Sequence, residues 1–154
     1  MESILYCEEK REACLQKGKS LIFETVLSRE DKIDYIRRAK KAGFFTRLFF
    51  ICTASPRINA SRIANRVMSG GHDVPIHKII SRYEASIANC CMAAKIVDRC
   101  YIYDNSAENQ AAKLLFRISE GRIEKEYEST IPEWAAIIRE TVCNDECTGA
   151  ACNA

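Results

Sequence analysis

The run FFTRLFFICT, residues 44–53, constrains the fold more than any other stretch of the chain. It is aromatic and β-branched, and it has the length expected of a buried strand. Punctuation isolates it on both sides. Upstream, Ser28 precedes REDKIDYIRRAKKAG, with Asp31 at the third helical position, basic residues toward the end and Gly43 as the stop, so a helix capped by Ser28 is predicted. Downstream, Ser55-Pro56 repeats the helix-start signal, and Ala60, Ile63, Ala64 and Val67 recur on one helical face.

The same alternation continues along the chain. Gly70-Gly71 ends that helix, and HDVP leads into another, with Asp73 as its cap and Pro75 in its first turn. Ile76, Ile79, Ile80, Tyr83 and Ile87 stripe the new helix, which is predicted to reach about Asp98. RCYIYDN then reads as a strand, KLLFRISEGRIEKEYE as a hairpin turning at Glu120-Gly121, and a last helix follows Pro132. Near the start, SLIFET reads as a further strand. Apolar strands alternating with helices predict an α/β layer with a parallel sheet and right-handed crossovers. Ligands bind beyond the carboxyl ends of such strands, which makes Glu24 to Ser28, Thr53 to Pro56 and Asp104 to Ser106 the expected working edge.

With 154 residues, 47% hydrophobic and 29% charged, the chain suits one domain, read as residues 1–142 with a lid region at about 56–90 and a cysteine-containing tail at 143–154. The formal charge is only +2, so no global field favours nucleic acid or an anionic membrane, and neither is an expected partner. No apolar run approaches the roughly 18 residues of a membrane span, and MESILYCEEKRE lacks the order of a signal peptide; a cytoplasmic protein is expected. Nine cysteines are an odd number. Cys7, Cys14, Cys52, Cys90, Cys91 and Cys100 are scattered through predicted helices and strands, as small buried hydrophobes are in a reducing compartment. Cys143, Cys147 and Cys152 match no tight zinc spacing, and His72 and His77 are the only histidines, so no metal site is expected.

Gly18-Lys19-Ser20 has the ending of a phosphate-binding loop, G-x-x-x-x-G-K-[ST], but Ala13 stands where the first glycine belongs. Such a loop follows a strand and opens a helix, whereas here a predicted helix comes first. A helix-terminating glycine beside a solvated lysine is therefore expected. The richest stretch for chemistry is SRIANRVMSGGHDVPIHKIISRYE. Arg62 and Arg66 share a helix face, Arg82 lies one helix later, and a glycine-hinged loop joins the two. From the residues alone, two helices closing over an anion and a solvated basic face with a structural His72 are both open.

Four segments, FETVLS, RVMSGGHDVP, RYEASIAN and YIYDNS, resemble in order and spacing the zeta-toxin-like family of P-loop kinases, over about Ser20 to Ser106. The resemblance implies a P-loop-kinase-like three-layer parallel sheet with helices on both faces, lacking the first strand and P-loop, followed by a C-terminal β-hairpin and helix. It implies ATP and Mg²⁺ as cofactors and a sugar-nucleotide substrate, since the toxins phosphorylate a sugar hydroxyl of UDP-N-acetylglucosamine. Glu24 matches the family's active-site glutamate, and Thr25 and Ser28 would join it in binding substrate. Arg66 matches a lid arginine that contacts the transferred phosphate, with Arg62 assisting, and such arginines would neutralise a phosphoryl group in transfer. Arg66, Arg82 and Asn105 would face the nucleotide. Gly70, Gly71, His72 and Asp73 match the lid motif. The family's P-loop and the acidic base after it would precede Met1, so the expectation is an N-terminally truncated kinase inactive alone. The alternative is a kinase-derived binding module acting through an antitoxin-like or other protein partner.

Overall fold

The computed structural model describes residues 2–149 as an α/β fold. Helix α1 (Glu2–Gln16) ends in a loop, α2 (Asp31–Lys41) leads into β1 (Arg47–Cys52), and α3 (Pro56–Met68) and α4 (Ile76–Ala94) lead to β2 (Arg99–Asp104). Strands β3 (Lys113–Ser119) and β4 (Arg122–Glu126) then form a hairpin, and α5 (Glu133–Gly149) closes the described chain. The sheet order is β1-β2-β3-β4: β1 and β2 are parallel, joined by the α3–α4 crossover, while β3 and β4 add on antiparallel. The sheet is thus mixed, with its one parallel pair where the sequence places the working edge.

Burial follows the alternation of the strands. Leu48, Phe50 and Cys52 turn toward α4 and α5, where Phe50 meets Trp134 edge-on at 5.9 Å, while Arg47, Phe49 and Ile51 turn the other way and stay exposed. The helices in contact with the sheet, α4 on β1 and α5 on β4, thus lie on one side, with α2 against α4. On the opposite side the implied helix layer is not among the described elements, and Phe45, Phe49 and Ile51 are over half exposed.

Local chemistry fixes most boundaries. Ser55 caps α3 by accepting from the Arg57 N–H, and Pro56 occupies the first turn, as its missing N–H allows. The β3–β4 turn has positive φ at both Glu120 and Gly121 (49° and 75°), the geometry that matches the twist of a two-residue hairpin. Asp98 latches three elements together: its carboxylate pairs with Lys40 at the end of α2 and accepts from the Thr46 N–H (2.7 Å) and hydroxyl (2.9 Å) at the entrance to β1. Burial alone would raise this carboxyl, but the Lys40 ammonium and the Thr46 donors outweigh it and hold the pKa at about 2.

Three local expectations are corrected. SLIFET is not a strand: residues 19–28 are irregular, and Ile22 is 98% exposed, because among the described residues no strand lies beside it to satisfy its backbone. Ser28 does not cap α2, since the cap position falls two residues later at Glu30, which makes no side-chain capping bond. Asp73 does not cap α4, where Pro75 holds that position. Among the cysteines, Cys52, Cys90, Cys91 and Cys100 are buried free thiols, as expected, and burial pushes Cys52 up to about 11, whereas Cys7 is exposed and Cys14 half-buried on α1. Cys143 belongs to α5, while the side chain of Cys147 and all of Cys152 lie outside the described residues.

Candidate functional site

Residues 24–28 leave the body of the protein and return through one buried side chain. Leu27 is only 3% exposed and sits in the core with a positive φ of 58°, a region β-substituted residues rarely enter. Two hydrogen bonds hold it there: Asn89 of α4 donates to the Leu27 carbonyl at 2.7 Å, and the Leu27 N–H donates to Thr25 Oγ1 at 3.2 Å. A leucine in this conformation costs on the order of 1 kcal/mol or more, so it persists where burial and bonding over-determine it. The consequence is a loop anchored at Leu27, with Thr25 and Val26 exposed and Ser28 half-buried beside it.

These three residues line an open cleft of about 400 Å³ with Arg29, Lys32 and Arg82. Arg29 lies just before α2 and Lys32 in its first turn, and Arg82 arrives from α4 across the gap. Asp31 lies beneath them, 2.6 Å from Lys32 and 3.5 Å from Arg29. The Lys32 bond, helped by the nearby Arg29 charge, lowers the Asp31 carboxyl despite partial burial, so it stays ionised. Arg29 and Lys32 thus share Asp31 as a counter-ion, and Arg82 adds a third cation to the lining. Since the Thr25 hydroxyl oxygen accepts from Leu27, its own proton is free to donate outward.

The structure therefore brings together Thr25, Ser28 and Arg82 from the residues singled out by sequence. Glu24 is exposed on the same loop but does not line the cleft. Arg62 braces α3 instead, donating to the Ala107 carbonyl at 3.3 Å. Arg66 is exposed near the end of α3, where its carbonyl accepts the Gly71 N–H at 2.9 Å. Gly71 has to be glycine for this turn, because a Cβ there would lie 2.6 Å from Arg66 Cγ and 2.9 Å from its carbonyl oxygen. Gly70 takes φ +87°, and His72 and Asp73 follow on the surface. Asn105 follows β2, its N–H donating to the Cys52 carbonyl at 2.7 Å.

A second network ties the α3–α4 unit to the carboxyl end of β1. Tyr83 donates to the Thr53 carbonyl at 2.8 Å, and the Ala54 N–H donates to Ser106, whose hydroxyl bonds Asp104. Burial pushes the Tyr83 phenol well above its usual range, so this donor keeps its proton throughout the physiological range. This edge is bonded to itself rather than open.

Gly18-Lys19-Ser20 does not fit a triphosphate. Gly18 takes φ +63° at the end of α1, and the N–H groups of Gly18 and Lys19 donate to the Leu15 and Cys14 carbonyls at 3.3 and 2.9 Å. Donors spent on helix carbonyls cannot cradle phosphates. For Mg²⁺, no group of three or more acidic, histidine or cysteine side chains converges among the described residues.

Arg29 and Lys32 are the cleft residues that the motifs did not disclose. SREDK reads from sequence as a capped helix start and does not mark them, because Arg29 lies just before α2 and Lys32 in its first turn, and only the fold brings both to the cleft. In comparisons with known proteins, a family model described as Zeta toxin matches residues 5–113, which include the loop, the cleft and the α3–α4 unit. No curated protein and no solved structure matches the chain.

Proposed function

Because the chain belongs to the zeta toxin family, we propose that its cleft binds the phosphorylated part of a small-molecule acceptor, of the sugar-nucleotide type, for kinase-type phosphoryl transfer. One observation carries this reading: two hydroxyls and three cations converge on a single cleft whose loop is fixed by Leu27. A diphosphate needs such a set, with Arg82 and Arg29 offering planar forks and Lys32 a point charge. Thr25 and Ser28 would donate to phosphate or sugar oxygens. Glu24, on the same loop, would accept a hydrogen bond from the acceptor hydroxyl.

Isothermal titration calorimetry with UDP-N-acetylglucosamine and with uridine tests the reading. The diphosphate ligand is expected to bind at least tenfold more tightly than uridine, and Arg82→Ala to remove about tenfold of that affinity, on the order of 1.4 kcal/mol. Equal binding of the two ligands, or an unaffected Arg82→Ala variant, would overturn it.

A second reading, a kinase-derived module that acts through a protein partner, is favoured by the bonding at Gly18 and Lys19. The 154-residue chain is accordingly expected to bind Mg-ATP weakly and to turn it over negligibly. A sub-micromolar affinity in the same calorimeter would sink that expectation.

A further inference from the structure

Two of the cations in the cleft are already engaged. Lys32 Nζ lies 2.6 Å from the Asp31 carboxylate and Arg29 Nε 3.5 Å from it, so one acid that stands outside the lining is tied to two residues within it. Most of the Lys32 side chain is covered (17% exposed), which leaves its ammonium little freedom to leave this partner. Neighbouring acids are placed differently: Glu30 is exposed and makes no side-chain capping bond, and Asp34 pairs with Arg38 at 3.0 Å. A phosphate oxygen accepting from Lys32 would stand at most about 5.5 Å from the Asp31 oxygen, the sum of two such bonds. That is inside the screening length of about 8 Å at physiological ionic strength, so the two anions repel each other.

Resting on the reading of the cleft given above, we propose that Asp31 is a specificity-determining residue: by engaging Arg29 and Lys32 internally, it keeps the cleft from preferring a nucleoside triphosphate to a diphosphate acceptor. Triphosphate and diphosphate esters offer the same oxygens to arginine forks and hydroxyls, and what separates them is charge. With bare cations the extra charge of the triphosphate would decide the contest. A fixed carboxylate beside Lys32 offsets part of that advantage, and the offset grows with each charge the ligand brings. An acceptor site gains from this, because a phosphoryl-transfer reaction needs the acceptor site kept clear of the triphosphate donor. Asp31 also serves the first turn of α2, where an acid suits the helix dipole. Asparagine there nearly keeps the shape and removes the charge, so the two duties can be separated.

The test is calorimetric titration of the 154-residue chain with UDP-N-acetylglucosamine and with UTP, in EDTA so that no divalent cation masks the triphosphate. The parent chain is expected to bind the diphosphate ligand at least as tightly as UTP. Asp31→Asn should tighten UTP about tenfold and UDP-N-acetylglucosamine about threefold, since the repulsion removed scales with ligand charge, and so move the ratio about threefold toward UTP. Asp31→Ser, which also removes the charge, should move it the same way. Asp34→Asn takes a charge from the same helix at the Arg38 pair and should leave the ratio unchanged. A ratio unmoved by both Asp31 variants, while UDP-N-acetylglucosamine still binds and Arg82→Ala still weakens it, would overturn this inference and leave the reading of the cleft standing. An equal shift with Asp34→Asn would overturn it too, because the effect would then be one of net charge. UDP-N-acetylglucosamine bound no better than uridine would overturn both.

Discussion

Asn89 is a polar side chain buried in α4 among isoleucines, cysteines, alanines and Ser86, and its amide holds the Leu27 carbonyl. Asn89→Ala strands that buried acceptor, so a loss of about 1–3 kcal/mol is expected in urea denaturation. The same variant should weaken diphosphate binding while leaving Arg82 in place, because the loop loses its tether before it loses its charges. Asp98 supplies a second prediction at this scale. Its folded pKa of about 2 lies below the unfolded value near 3.9, so its contribution is present above the unfolded value and is lost as pH falls toward and through about 2. Asp98→Asn should therefore cost about 1–2 kcal/mol at neutral pH and flatten the dependence of the urea midpoint between about pH 4 and pH 2. An unchanged acid limb would mean that the latch to Lys40 and Thr46 carries no net stability.

Elements bounded by local chemistry were legible in the sequence. β1 lay within its aromatic run, α3 began at Ser55-Pro56, and the hairpin turned at Glu120-Gly121, because caps, prolines and glycines act over a few residues. SLIFET failed for the opposite reason: its apolar composition suits a strand, but a strand exists only where a neighbour completes its ladder, and composition carries no information about that neighbour. The hairpin offers a test of the local rule. Glu120 pays a backbone penalty at φ 49° that asparagine, the favoured residue there, largely avoids. Glu120→Asn should raise stability by roughly 0.5 kcal/mol in thermal unfolding, and a destabilised variant would show that the Glu120 side chain is held by more than its turn.

Across the whole molecule, half of the cleft was readable in advance. Thr25, Ser28 and Arg82 stood in recognisable segments, whereas Arg29 and Lys32 became part of the cleft only through the placement of α2 beneath the loop. Arg62 shows the converse, since its helical position beside Arg66 says nothing of the β2–β3 connection it braces. One further property follows from how α4 is mounted. Apart from Ile79, its buried residues run from Ser86 to Ala94, so the second half is set in the core while the first half projects. Arg82, facing the cleft, and Tyr83, bonded to the end of β1, sit where the helix emerges. Such a helix is a cantilever with its support at Tyr83, and its tip at Ile76 lies about 10 Å further along the axis. A small tilt at that support would swing the Gly70-Gly71 turn through a larger arc than it moves Arg82, so the cleft ligand proposed above, held near the pivot, would gain leverage over the glycine turn at the far end.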